Sequence, residues 1–316
     1  MTEMEPFLTI VTPTYNRREK LRVLYQSLCR QTICADSFVW LIADDGSCDG
    51  TGEQVLGWQK EQDDRLDGFR IIYRFAENGG KHRALNLAVS EVETPLVFPV
   101  DSDDFLTEDA VESVHDAYVR ELEDSEKKSD QKLCGFSFLR QRADGSLMSR
   151  EASGNGVLSS FCEERINLRN QGDMAEVWVT DILKKFPFPE FPGEKFLGED
   201  TVWIRMSGPY RMRFYNKVIY RSDYLEEGLT RNRRTHNLAS PKGCTERARV
   251  FLESPYVTIS AKVKPAMQYW IYGHTAGEGY PKLFAERPKN STVLLTLVFL
   301  PAVVLEYRWK REYRTG

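Results

Sequence analysis

The stretch Pro-Leu-Val-Phe-Pro-Val-Asp-Ser-Asp-Asp-Phe at residues 95–105 joins an apolar run to a cluster of three carboxylates. The apolar half predicts a buried strand, and Asp101, Asp103 and Asp104 follow at its carboxyl end. Three acids so close together repel one another unless a positive group lies beside them. A hard divalent cation with oxygen ligands would satisfy the cluster, and an acidic turn that begins a helix would also explain it. These residues alone leave both interpretations open.

Strand-like and helix-like segments alternate along the chain before this cluster. Such alternation predicts an α/β fold, with a mostly parallel sheet flanked by helices on both faces. The predicted strands are 7–12, 38–43, 69–75 and 95–99, and the predicted helices between them are 16–28, 52–61 and 81–89.

Polar residues follow each of the four predicted strands. In open α/β sheets, ligands bind in the crevice beyond the carboxyl ends of the strands. We therefore expect these clusters to meet at one edge of the sheet. They are residues 12–17, 44–47, 78–81 and 101–104.

The pattern after residue 106 is less regular. It predicts a helix at 110–122, a hairpin around Asp144 and Gly145, a short helix at 159–168 and a strand at 175–180. The motif Gly-Glu-Asp at 198–200 then precedes a helical segment with apolar residues on one face.

The composition is that of an ordinary globular chain of 316 residues, 41% of them hydrophobic and 28% charged. A formal net charge of −4 gives no overall attraction to nucleic acid, so we expect no nucleic-acid partner. The six cysteines lack the spacing of a structural zinc site. The N-terminus is acidic and lacks the basic and apolar parts of a secretory signal, so we expect a cytoplasmic location.

Four of these motifs, taken together, resemble the family-2 glycosyltransferases of the GT-A fold, and the resemblance covers about residues 7–220. The motifs are Thr-Ile-Val-Thr-Pro-Thr-Tyr-Asn-Arg at 9–17, Asp-Asp-Gly-Ser at 44–47, Asp-Ser-Asp-Asp at 101–104 and Gly-Glu-Asp at 198–200. The resemblance implies an inverting transferase with a GT-A, Rossmann-like fold, which uses a nucleotide-diphospho-sugar and Mn²⁺ or Mg²⁺.

The resemblance also implies roles for individual residues. Asp103, with Asp101 beside it, would bind the metal, and Asp200 would be the general base, with Glu199 as the alternative. The nucleotide-binding residues would be Thr12, Pro13, Tyr15, Asp45, Lys81, Asp101 and Ser102. The chemistry agrees, because an aromatic ring offers a base a stacking surface and a carboxylate accepts from an imide N–H.

A basic segment follows the region of resemblance. The candidates for contacts to the donor diphosphate are Arg231, Arg233 and Arg234, because one guanidinium group can donate two parallel hydrogen bonds to phosphate oxygens. A solvated basic loop is the alternative interpretation.

The C-terminal third predicts a helical extension that ends in an apolar run at 293–305, next to aromatic and basic residues. The run is shorter than the ~20 residues that a bilayer span needs. It fits an interfacial membrane helix over 293–311, or a helix packed on the catalytic domain or on another subunit of a homo-oligomer.

We therefore predict a catalytic domain at 1–222, with a nucleotide-binding half at about 1–106 and an acceptor half at about 107–222, followed by the extension at 223–316. The predicted function is transfer of a sugar, from a UDP-sugar, to a hydroxyl of a glycan or lipid-linked acceptor in surface polysaccharide synthesis. The location would be cytoplasmic or peripheral on the inner face of the plasma membrane. The alternatives are a sugar-nucleotide nucleotidyltransferase and a non-catalytic protein that binds a nucleotide-sugar.

Overall fold

The computed structural model describes residues 5–125, 132–222 and 233–313, and the chain divides into two compact units. Unit 1 consists of Met1–Ser160, Asn170–Pro187 and Pro209–Tyr224, and unit 2 of Phe161–Arg169, Phe188–Gly208 and Leu225–Gly316. The predicted boundary at residue 222 falls close to the end of the last segment of unit 1. Two segments that we expected in the catalytic domain, 161–169 and 188–208, cluster with the C-terminal helices instead.

Among the described residues, unit 1 contains a sheet of nine strands. The strands are β1 Leu8–Thr14, β2 Phe38–Asp44, β3 Arg70–Phe75, β4 Leu96–Pro99, β5 Phe105–Leu106, β6 Lys132–Arg142, β7 Val157–Ser159, β8 Met174–Val179 and β9 Tyr210–Ser222. Their order is β3-β2-β1-β4-β8-β6-β9-β5, with β7 beside β9. The first four strands in this order are parallel, and β8 runs antiparallel to both of its neighbours.

Helices flank this sheet and make up most of unit 2. Those of unit 1 are α1 Arg18–Leu28, α2 Thr51–Asp63, α3 Lys81–Glu91, α4 Ala110–Ser125 and α5 Thr180–Leu183. Those of unit 2 are α6 Asp200–Met206, α7 Arg233–Ala239, α8 Pro241–Glu253, α9 Ile259–Thr275, α10 Tyr280–Ala285 and α11 Thr292–Tyr313. The predicted alternation of strand and helix from β1 to β4 is confirmed, and so is the α/β fold class.

The central strands are apolar because both faces of the sheet are covered. All seven residues of β2 are buried, as a continuous apolar run in a parallel sheet predicts. Trp40 of β2 lies under α1 and α2, where Tyr25 and Trp58 stack with ring centroids 4.4 Å apart. This packing holds the parallel strands and the loops at their carboxyl ends in place.

The longest strand, β9, is a feature that our sequence interpretation missed. Its first half alternates basic residues with the buried Met212 and Phe214, which is the pattern of a strand with one buried face. Charged Arg residues at every second position lowered the apparent hydrophobicity of the segment. The predicted second strand of the 145–149 hairpin is reduced to a single antiparallel bridge between Gln141 and Leu147.

Unit 2 is a helical cluster with its own apolar core. Trp270 and Tyr269 of α9 are buried there with residues of α8 and α11. The predicted short helix at 159–168 is a π-helical turn, Cys162–Asn167. The apolar run at 293–305 is part of the longer α11, whose segment Thr292–Arg311 is long and apolar enough to cross a bilayer by length and composition, with a mean hydropathy of 1.5.

Candidate active site

The loops that follow β1 and β2 are joined by reciprocal hydrogen bonds. The Asn16 backbone N–H donates to Ser47 Oγ at 2.8 Å, and the Cys48 backbone N–H donates to Asn16 Oδ1 at 2.9 Å. Asn16 adopts a φ of 50°, a conformation that Asn tolerates better than most residues. Because β1 and β2 are adjacent and parallel, both loops lie at the same edge of the sheet.

Asp45 joins the second loop to the third. Its carboxylate accepts hydrogen bonds from the backbone N–H groups of Gly79 and Gly80, at 2.7 and 2.8 Å, and from Asn78 Nδ2 at 3.0 Å. Gly46 sits against this loop with a φ of 89°, and a Cβ there would lie 2.9 Å from the Asn78 nitrogen. Asp45 therefore organises the turn that leads into α3, and most of its acceptor capacity is already used.

Lys81 and Asp101 join the third loop to the fourth. The Lys81 Nζ lies 2.5 Å from Asp101 Oδ1, at the start of α3 and just beyond β4. The four polar clusters thus form one connected set at the carboxyl edge of β3, β2, β1 and β4. The predicted convergence of the clusters is confirmed by the strand topology.

Arg140 of β6 supplies positive charge that our sequence interpretation missed. Its Nη1 lies 3.6 Å from both Asp101 Oδ2 and Asp104 Oδ2. Its Nε donates to the Met174 carbonyl at 2.7 Å, and its guanidinium lies 3.9 Å above the Tyr220 ring. The only signal in the sequence was a lone Arg directly after the apolar part of β6. Protein cations therefore stabilise two of the three acids.

The two paired acids have opposite pKa shifts. Burial alone would raise the pKa of Asp101, but the Lys81 and Arg140 cations lower it below its ordinary value. For Asp104, burial and the neighbouring Asp101 and Asp103 carboxylates outweigh Arg140 and raise the pKa to about 7. The two carboxyls therefore differ in environment: nearby cations favour the ionised form of Asp101, and burial beside other acids disfavours the ionised form of Asp104.

Asp103 differs from its two neighbours. It lies partly exposed at the turn after β4, whereas Lys81 and Arg140 pair with Asp101 and Asp104. Within residues 5–125, 132–222 and 233–313, no group of three His, Cys, Asp or Glu side chains is arranged to hold a metal. A single carboxylate still fits Mg²⁺, which is commonly bound by one or two carboxylates together with substrate phosphates. The residues present therefore fit a metal that arrives with a diphosphate.

The remaining predicted nucleotide contacts have different environments. Tyr15 is 48% exposed directly after β1, so its ring is accessible for stacking. Pro13 is buried within β1, next to Ala43 of β2. Ser102 is also buried. Thr12 lies in the core, where its Oγ1 accepts a hydrogen bond from Trp40 Nε1 at 3.0 Å, so its side chain has a structural role.

The predicted base, Asp200, lies in unit 2 at the start of α6. Arg247 of α8 donates two hydrogen bonds to its carboxylate, from Nε to Oδ1 at 2.6 Å and from Nη2 to Oδ2 at 2.5 Å. Burial alone would lower the pKa of Arg247, but the Asp200 carboxylate raises it above its ordinary value. Gly198 makes room for this pair, since a Cβ there would lie 2.9 Å from Asp200 Oδ1. Glu199 precedes α6 and is partly buried.

The candidate arginines for the diphosphate are only partly described. Arg231 lies outside the described residues, and Arg233 begins α7 without a described side chain. The Arg234 guanidinium lies 4.6 Å above the Trp309 ring of α11.

Comparison with known proteins defines the class of this domain. Residues 9–125 match a model of the family described as Glycosyl transferase family 2. The segment contains β1 to β4 and all four polar clusters, so it is a family-2 glycosyltransferase domain, as the motifs predicted. TuaG of Bacillus subtilis (strain 168), named as a candidate teichuronic acid biosynthesis glycosyltransferase, is 30% identical over 138 residues. That alignment covers 44% of this chain and about half, 48%, of TuaG.

Solved structures of other proteins have a fold similar to that of this chain. S. aureus TarS in complex with UDP has a TM-score of 0.62 and 15% identity, over 99% of this chain and 92% of that chain. TarS has also been solved with UDP-GlcNAc. The mannosyltransferase PcManGT from Pyrobaculum calidifontis, in complex with GDP-Man and Mn²⁺, has a TM-score of 0.52 and 17% identity, over 99% and 89% of the two chains. The fold is therefore that of the GT-A glycosyltransferases.

Proposed function

We propose that this chain is an inverting glycosyltransferase that moves a sugar from a nucleotide-diphospho-sugar to a hydroxyl of a glycan or lipid-linked acceptor. The observation that carries the proposal is the connected set of Tyr15, Asp45, Lys81 and Asp101 at one sheet edge of a family-2 domain. An exposed aromatic ring, a cation and the partly exposed Asp103 carboxylate suit a base, a diphosphate and its metal.

The donor is proposed to be a UDP-sugar. TarS, a protein of similar fold, has been solved with UDP and with UDP-GlcNAc. PcManGT carries GDP-Man, so this fold accepts more than one nucleotide. In our proposal the Tyr15 ring stacks on the base, Pro13 lines the base pocket and Asp101 binds the ribose. The Asp45 carboxylate accepts a hydrogen bond from the base at a position that the Gly79 and Gly80 N–H groups do not occupy.

Lys81 is the proposed cationic contact of the diphosphate. Its ammonium group has three N–H donors, and Asp101 engages one of them at 2.5 Å. In our proposal Lys81 also binds a phosphate oxygen, so it would link the ribose end and the diphosphate end of the donor. Arg140 lies deeper and keeps Asp101 ionised.

We place the divalent metal, Mn²⁺ or Mg²⁺, on Asp103 rather than on Asp101, because Asp101 already pairs with Lys81 and Arg140. The ion would act as a Lewis acid that neutralises charge on the departing diphosphate. PcManGT, which has a similar fold, was solved with Mn²⁺.

Asp200 is the proposed general base. A carboxylate offers about four acceptor sites, and the Arg247 fork uses one on each oxygen. A free site on either oxygen can accept the proton of an acceptor hydroxyl, which then attacks the anomeric carbon from the side opposite the diphosphate. Arg247 fixes the orientation of the carboxylate through these two hydrogen bonds. Inversion follows from this single displacement.

The acceptor is proposed to be a growing surface polymer or its lipid-linked precursor. TuaG is named for teichuronic acid biosynthesis, and this assignment is the basis of the proposal. Synthesis from nucleotide-sugars would place the protein in the cytoplasm. The nucleotidyltransferase alternative is not supported by the family match, whose description is that of a glycosyltransferase family.

The proposal is tested by screening UDP- and GDP-sugars for thermal stabilisation with Mn²⁺, Mg²⁺ or EDTA. A donor at 100 times its Kd stabilises the folded state by about 2.7 kcal/mol, so we expect one class of donor to raise the Tm when metal is present. Incubation of that donor with glycan acceptors should give a product of inverted anomeric configuration by NMR. The absence of stabilisation by every donor would contradict the proposal, and binding without hydrolysis or transfer would favour the non-catalytic alternative.

A further inference from the structure

The outward face of α11 carries a continuous apolar stripe. Its members recur at intervals of four and three residues, and each is at least 60% exposed. They are Val293, Leu297, Leu300, Val304 and Tyr307. From the first to the last, the stripe is about 21 Å long at 1.5 Å per residue. Contiguous exposed apolar surface of this kind marks an interaction site.

The opposite face of α11 is already occupied. Leu295, Val298 and Ala302 are buried in the core of unit 2, and Trp270 Nε1 of α9 donates to the Leu295 carbonyl at 3.0 Å. Only 22% of the apolar segment of α11 is buried, so most of its apolar surface lies outside this core. A bilayer-spanning position would pull the inner face away from α9. A position along a surface would keep that packing and cover the stripe.

Basic residues continue the stripe at its C-terminal end. Arg311 lies about five turns after Val293 at 3.6 residues per turn, and so it projects in the same direction. Arg308 is exposed beside Tyr307. Among the described side chains of α11, the acid is Glu306, which is buried on the inner face and pairs with Lys310. The outward face is therefore apolar and cationic.

This charge pattern distinguishes between two possible occupants. In a two-fold pair of α11 helices, the Arg308 and Arg311 cations of one helix would face either the same cations of the other helix or its apolar stripe. Among the described side chains of α11, neither arrangement supplies a carboxylate, and burying an unpaired cation is costly. The stripe is also one residue wide, whereas a standard protein interface involves about 20 to 30 residues a side. A surface of anionic lipid headgroups supplies phosphates for the cations and acyl chains for the stripe.

We propose that α11 docks on an anionic lipid bilayer and lies parallel to its surface. The apolar stripe enters the boundary between headgroups and acyl chains. Tyr307 lies at headgroup level, and Arg308 and Arg311 bind lipid phosphates. The inner face of α11 stays packed on α9. This surface would hold the protein at the membrane, and it does not depend on the identity of the donor or on the proposed catalytic residues.

The test is flotation of the full chain with vesicles of phosphatidylcholine, with and without phosphatidylglycerol. We expect the wild type to float with vesicles that contain phosphatidylglycerol. The double variant Leu297→Asp/Leu300→Asp should lose about tenfold or more in binding, because two apolar side chains no longer enter the bilayer. Arg308→Ala/Arg311→Ala should lose mainly the preference for phosphatidylglycerol.

A matched control places the same substitution on another exposed surface. Leu56 and Leu66 are 58% and 110% exposed in unit 1, and Leu56→Asp/Leu66→Asp should float as the wild type does. An unchanged circular dichroism spectrum would show that the α11 variant is folded. Wild type that stays unbound on both vesicle types would overturn the proposal. A different result would assign this face to a second copy of the chain. In that case the wild type would sediment as a dimer, the α11 variant would sediment as a monomer, and neither would bind vesicles.

Discussion

Protein cations lie beside two of the three acids after β4. Lys81 pairs with Asp101, and Arg140 lies 3.6 Å from both Asp101 and Asp104. Arg140 is held in turn by the Met174 carbonyl and the Tyr220 ring. The cluster is therefore partly satisfied before any ligand binds, and Asp103 is its remaining candidate for a metal.

The first prediction compares neighbouring acids of this cluster. Asp103→Asn should lose the metal-dependent part of donor binding, about tenfold or more, since even residues that only support a metal ligand cost 10–100-fold in metal affinity when replaced. Asp104→Asn should lose much less, because Asp104 faces Arg140. Isothermal titration with donor and Mn²⁺ measures both variants. In EDTA, Asp103→Asn and wild type should bind donor equally, and equal losses in the two variants would mean that the metal is not on Asp103.

The second prediction concerns Asp200 and its partner. Asp200→Asn should lower kcat by about 10²–10⁴, the usual contribution of a general base, with donor affinity unchanged. The matched variant Glu199→Gln should lose far less. Arg247→Lys should lower kcat, because one ammonium group cannot replace the two hydrogen bonds that orient the Asp200 carboxylate. A larger loss of kcat in Glu199→Gln than in Asp200→Asn would reverse the assignment.

At the scale of elements, one buried acid joins three helices of unit 2. Glu306 of α11 is 4% exposed and accepts hydrogen bonds from Tyr280 of α10 at 2.7 Å and from the His274 ring of α9 at 2.7 Å. Lys310 pairs with it at 2.5 Å. These contacts explain how α11 can expose a long apolar face and still pack on unit 2.

The third prediction follows from the pKa of this acid. Burial alone would raise the pKa of Glu306, but the contacts with Lys310, Tyr280 and His274 lower it below 4.5. A lowered pKa in the folded state contributes stability above the unfolded pKa, and that stability is lost as the pH falls through the folded value. Glu306→Gln should therefore cost about 1–3 kcal/mol of unfolding free energy at pH 7. In urea unfolding, the difference in unfolding free energy between the wild type and Glu306→Gln should shrink below about pH 4.5. A difference that does not change with pH would show that the Glu306 charge is unimportant.

Most elements near the proposed donor site were predictable from local pattern. The strands β1 to β4 are short apolar runs followed by polar turns, and α1 to α3 show helical periodicity. β9 was missed because it alternates Arg with apolar residues and has a polar break at Asn216 and Lys217. The helix α11 is longer than its apolar run, because the aromatic and basic residues from Tyr307 to Arg311 continue the helix.

At the scale of the molecule, the predicted site residues divide between the two units. Unit 1 contains the nucleotide and metal candidates from Tyr15 to Asp103, and unit 2 contains Glu199, Asp200 and the docking helix α11. A single boundary at residue 222 does not describe this division, since 161–169 and 188–208 return to unit 2. These segments reach unit 2 through tertiary contacts: α6 packs on α8, and the Asn167 side chain hydrogen-bonds the backbone of Tyr256 and Thr258.

The sequence by itself determined the α/β class, the four loops at the sheet edge, the carboxylate cluster and the family of the domain. These features depend on residue type and spacing along short segments, which are visible in one dimension. Only the tertiary structure decided that Arg140 lies beside Asp101 and Asp104, that Asp45 accepts hydrogen bonds from Gly79 and Gly80, and that Arg247 donates two hydrogen bonds to Asp200. Each of these contacts joins residues that are distant along the chain, and pairing across such distances depends on how strands and helices pack.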